Sequence, residues 1–130
     1  MLTKYDPDRA PDPQRWLAQD EGHLMAIVER YHRRERIPLP NPGMHAAVHV
    51  MVENQVALGE QTPARDAVDR LMGEGMSRHD AIHAVGAVLA DHMFRAKQTN
   101  VPLSREAYYA EIRGLTMERW LADYGPGPDD

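Results

Sequence analysis

The sequence predicts an all-α protein, a compact bundle of four main helices plus one short helix. Three observations carry that expectation. Apolar residues recur at three- and four-residue spacing in each long segment, proline and glycine fall where helices would start and stop, and no stretch alternates apolar and polar residues long enough to argue for a strand. At 130 residues the chain fits one domain, with roughly two thirds of its unfolded surface available for burial. Residues 1–12, rich in proline, and residues 124–130, YGPGPDD, are expected to be loose ends.

Each element follows from local signals. Asp12 caps a first helix from Pro13, in which Trp16, Leu17, Leu24, Ile27, Val28 and Tyr31 form one stripe before IPLPNPG breaks the pattern. The basic run RYHRRER, residues 30–36, is read as a helix end, where cations complement the dipole. Asn41 and Pro42 repeat the cap and first-turn signature for a second helix that runs until Gly59. Thr62 and Pro63 start a short third helix with Ala64, Ala67, Val68, Leu71 and Met72 on one side, stopped by GEG at 73–75. Ser77 and Asp80 resemble a capping box for a fourth helix to about Lys97. Ser104 caps a fifth, whose stripe of Tyr108, Ile112, Leu115 and Ala122 extends towards Trp120.

Composition removes several functions. The absence of cysteine excludes disulfides, thiolate metal sites and a cysteine nucleophile, so any metal must be held by nitrogen and oxygen. A net charge of -5, from 15 Lys plus Arg against 20 Asp plus Glu, argues against non-specific binding to nucleic acid or an anionic membrane. The start MLTKYDPDRAPDP has no apolar core of signal-peptide length, and no segment reaches the roughly 20 apolar residues that span a bilayer, so a cytoplasmic protein is expected.

The histidines carry the chemical signal. In MHAAVHVMVENQ, residues 44–55, His45 and His49 lie about 40° apart on one helix face, with Glu53 one turn further along. RHDAIHAVGAVLADH repeats the arrangement with His79 and His83, where Gly86 and Ala90 would let a neighbouring helix approach closely. Two such pairs on facing helices can complete a four-coordinate shell for zinc, iron, copper or nickel. His45, His49, His79 and His83 are therefore the candidate ligands, with Glu53 as a fifth ligand, a hydrogen-bond acceptor behind the ligands, or a base if the site keeps a water. Asp80 and Asp91 point about 60 to 100° away and are not enlisted. His23, His32 and His92 are read as surface or helix-end residues, and Met25, Met44, Met51, Met72 and Met93 as core filler. The competing reading uses the same residues, with Asn54 and Gln55, as a buried polar network that fixes packing in a non-enzymatic interaction module, for which a homodimer is one form.

The stretch YHRRERIPLPNPGMHAAVHVMVENQVALGEQTPARDAVDRLMGEGMSRHDAIHAVGAVLADH, residues 31–92, resembles a widespread bacterial family of uncharacterised proteins, a domain of unknown function. Its most specific pieces are YHR, LPN, HAAVHVMVENQ and RHDAIHAVGAVLADH, and the likeness covers about half of the chain. It implies a small helical bacterial protein and supplies no catalytic residue. Enzyme templates fit poorly. The His79-Asp80 dipeptide matches helical phosphohydrolases only weakly, because the two side chains diverge by about 100°. The chain lacks HExxH, the Glu-x-x-His of di-iron bundles, a Gly-x-Ser-x-Gly elbow and a glycine-rich phosphate loop.

Overall fold

The computed structural model describes residues 2–35 and 41–124, and among them it is all-helical. The helices are α1 (Pro13–Leu17), α2 (Glu21–Arg34), α3 (Pro42–Ala57), α4 (Ala64–Gly73), α5 (Arg78–Thr99), α6 (Arg105–Arg113) and α7 (Met117–Tyr124), with one 3-10 turn at Gly59–Gln61. Two of the elements expected as single helices are thus each broken in two. After Ala18 the Asp20 side chain accepts from the His23 backbone N–H and restarts the chain as α2, a local hydrogen bond that outcompetes continuation. Gly114, a weak helix former, ends α6, and Thr116 Oγ1 accepts from Arg119 N–H to open α7.

Other boundaries follow the caps. Asp12, Asn41, Ser77 and Ser104 each accept a hydrogen bond from a first-turn N–H. Thr62 Oγ1 accepts from Ala64 N–H and donates to the carbonyl of Gln55, tying the start of α4 to the end of α3. α5 stops at Asn100, whose φ of 56° is the left-handed conformation that ends helices.

α3 is the central element, touching α1, α2, α4 and α5. Ala46 and Val50 pack into a cluster with Trp16, Leu24, Ile27 and Val28. Val52 faces the other way, into a larger cluster with Val68, Leu71, Ile82, Val85 and Ile112. A helix buried on two sides leaves a line of positions in the seam between them, and His45, His49 and Glu53 occupy that line. The crossing of α3 and α5 is close: a Cβ at Gly86 would stand 3.0 Å from Val48 Cγ1, tighter than most side-chain contacts.

The first dozen residues, expected to be loose, are laid against the bundle where the structure describes them. Tyr5 is 3% exposed and Pro7 is buried. Arg78 Nη1 donates to the carbonyl of Pro7 at 2.9 Å, and His79 N–H to Asp8 Oδ1 at 3.2 Å. Of the expected loose tail, residues 125–130 lie outside the described residues, as do residues 36–40 of the expected α2–α3 break. No helix among the described residues is long and apolar enough to cross a membrane.

Candidate metal centre

Four imidazoles from three helices converge in the seam. His32 comes from the last turn of α2, His45 and His49 from α3, and His83 from α5, and one ring nitrogen of each lies within 4.8 Å of the others. His32 and His49 are buried, while His45 and His83 are half-buried. The rings meet edge to face or tilted, with centroids 4.6 Å apart for His32 and His45 and 4.7 Å for His45 and His83.

The tautomers follow from the partners. His32 Nδ1 lies 2.9 Å from the carbonyl of Val28, one turn back, and an acceptor there requires Nδ1–H, which puts the lone pair on Nε2. His49 Nδ1 stands 3.0 Å from the Tyr5 hydroxyl, whose single proton is donated to Glu53 Oε2 at 2.7 Å. His49 Nδ1 must therefore be the donor to the Tyr5 oxygen, and again Nε2 carries the lone pair. Both buried rings are held in the form a metal needs, one by a carbonyl and one by a tyrosine backed by a carboxylate.

At the centre His83 stands against two other imidazoles. His83 Nε2 is 2.9 Å from His49 Nε2 and 3.1 Å from His45 Nε2. An imidazole nitrogen carries either one proton or one in-plane lone pair, so His83 Nε2 can make one well-aligned hydrogen bond to these two neighbours. A tetrahedral ion with metal–nitrogen bonds of about 2.0 to 2.1 Å would set such nitrogens about 3.3 to 3.4 Å apart, a few tenths of an ångström beyond these two spacings.

Glu53 lies behind the histidines. It is 1% exposed, and Arg78 reaches it through both ends of the guanidinium, Nη1 to Oε2 and Nη2 to Oε1, each at 2.8 Å. Burial works to lower the Arg78 pKa, but the hydrogen bonds and charge of Glu53 more than offset it and hold the guanidinium above its ordinary value. With Tyr5 on Oε2 as well, the carboxylate is directed to Tyr5 and Arg78, an acceptor for the groups that orient His49. That engagement leaves it poorly disposed to act as ligand or base.

Of the histidines singled out from the sequence, the structure brings His45, His49 and His83 together. His79 stands beside them, its ring 4.9 Å from His83 and 5.7 Å from His49, but it is outside the group of four. His32 takes part instead: it does stand in the basic last turn of α2, as expected, but its ring is buried rather than at the surface. The signal was present: Leu24, Val28 and His32 follow one another at four-residue spacing, so His32 continues the buried stripe of α2. Tyr5 and Arg78 carried no periodic signal, one lying in irregular chain and the other being the first residue of a helix. His92 lies elsewhere, away from the site but half-buried within α5 rather than at the surface or a helix end, on Glu111 of α6 at 2.8 Å.

Residues 14–114 match the family described as Domain of unknown function, DUF1841. The chain belongs to this family. The DUF1841 match extends beyond residues 31–92 on both sides and contains all four histidines together with Glu53 and Arg78, whereas Tyr5 precedes it. No curated protein and no solved structure matches the chain.

Proposed function

We propose that this DUF1841 protein binds one divalent transition-metal ion through His32, His45, His49 and His83, with Tyr5, Glu53 and Arg78 orienting His49 from behind. The observation that carries the reading is the convergence of four ring nitrogens from three helices within 4.8 Å of one another, with His83 Nε2 against two of the others. An all-imidazole set suits zinc, copper, nickel or iron rather than magnesium or calcium, which favour oxygen. His79 is a reserve donor at the rim.

The second reading, a buried polar network that fixes packing in an interaction module, is favoured by the chain from Arg78 through Glu53 and Tyr5 to His49, which is satisfied without any ion. The two readings separate cleanly. Protein purified without chelator should carry close to one metal per chain by elemental mass spectrometry, and a His49→Ala, His83→Ala variant should carry none. Folded wild type that stays metal-free when supplied with zinc, copper, nickel or ferrous iron would leave only the network.

A further inference from the structure

A cavity of about 340 Å³ opens between α3 and α5 directly onto the histidines. One end is lined by His45, His49 and His83. The rest of the wall is largely apolar: Met44 and Val48 on α3, and Ile82, Gly86, Ala87 and Ala90 on α5, with Asn41 at the start of α3 as a further polar group. His32 is not among the lining residues, so three of the four imidazoles meet the cavity while the fourth holds its position from behind.

The small residues of α5 create the space. Gly86 admits the Val48 and Val52 side chains of α3, and beyond that crossing Ala87 and Ala90 have too little side chain to fill the gap. The volume falls within the range of small-molecule sites, and a mostly apolar wall converging on a few polar groups is their usual composition.

Charge then selects the occupant. The four histidines are neutral when they bind metal, and the nearest buried carboxylate, Glu53, is already paired with Arg78. A divalent ion would therefore keep its two positive charges in a half-buried apolar setting, where an anionic donor is strongly favoured. We infer that the cavity takes a small monocarboxylate with an apolar body, its carboxylate adding to the metal as a further ligand and its chain lying along Val48, Ile82, Ala87 and Ala90. The inference rests on the metal reading above.

The test uses the full chain loaded with whichever of zinc, copper, nickel or ferrous iron it retains, titrated calorimetrically with hexanoate, acetate and 1-hexanol. Each methylene buried should tighten binding by about fourfold, so hexanoate, with four methylenes more than acetate, should bind about 250-fold more tightly if all four are buried and about 16-fold if only two are. Hexanol, without the anion, should bind far more weakly, and metal-free protein should bind none of the three. Ala90→Leu should abolish the preference for hexanoate while metal content stays at wild-type level. Met44→Ala, at a half-exposed position, should widen the cavity and shift the preference to longer chains, which covers the case in which Ala90→Leu fails to fold. Equal affinity for acetate and hexanoate on metal-loaded protein would overturn this inference and leave the metal reading intact. A wild type that retains no metal would overturn both.

Discussion

Two regions of the interior, the larger apolar cluster and the histidine seam, are built from opposite materials, although α3 and α5 contribute to both. Between α4, α5 and α6 the interior is dry: Val68, Leu71, Ala81, Val85, Val88 and Ile112 are all nearly or fully inaccessible. Between α2, α3 and the first turns of α5, beside the apolar cluster of Trp16, Leu24, Ile27, Val28, Ala46 and Val50, the seam holds four imidazoles, a carboxylate and a guanidinium. α5 displays the contrast along a single helix, with His79 and His83 towards the seam and Ala81, Ala84, Val85 and Val88 in the apolar cluster. The dry half gains from burial in proportion to area, whatever the solution contains. The polar half must offset the desolvation of its groups by specific partners, so its stability depends on pairing and, under the proposed function, on metal.

The largest expected effects come from breaking each half in its own way. Arg78→Met leaves Glu53 buried and uncompensated and should cost about 3 to 5 kcal/mol in urea unfolding, whereas Arg78→Met with Glu53→Leu should recover much of that loss. Leu71→Ala, in the dry half, should cost about 2 to 5 kcal/mol through the cavity it leaves, with metal content unchanged. If the double variant is as unstable as the sum of its parts, the description of Glu53 and Arg78 as one unit fails.

A subtler change sharpens the same comparison. Tyr5→Phe keeps the ring, which lies 5.7 Å from Trp16 and from His49, but removes the hydroxyl that accepts from His49. Metal affinity should fall by about 10- to 100-fold, read by competition with a chromophoric chelator, while the dry half is untouched. His92→Ala is the matching control: it loses a contact with Glu111 outside the site and should leave metal affinity at the wild-type value.

The smallest effect lies at high pH. Burial raises the pKa of the Tyr108 hydroxyl, against the opposing influence of its hydrogen bond to Gln55. The folded protein therefore keeps this proton to higher pH than the unfolded chain does. Its contribution is fully present below the ordinary tyrosine value of about 10 and is lost as pH rises beyond it. Thermal unfolding should show stability falling above about pH 10, with a shallower decline in Tyr108→Phe. A decline of unchanged slope would remove Tyr108 from that account.

Much of the fold was legible because its signals are local. Caps at Asp12, Asn41, Ser77 and Ser104 start helices wherever they are expected, since a side chain that captures a first-turn N–H needs only the next few residues. The breaks at Ala18 and Gly114 were missed because the apolar stripe continues in register across them, and periodicity does not report a short interruption. The histidine pair of α3 was legible for the same local reason, since four-residue spacing alone puts both rings on one face.

The amino-acid sequence by itself thus determined the helical class, most helix starts, and the alignment of His45 with His49 and of His79 with His83, all consequences of backbone geometry within one or two turns. Tertiary structure decided that His32 joins the group while His79 stands at its rim, that Arg78 claims Glu53, and that Tyr5 reaches in from the N-terminal segment. Those outcomes depend on the close crossing of α3 and α5 at Gly86 and on contacts between residues as far apart as Tyr5 and His49, and helical periodicity holds no record of which faces will meet.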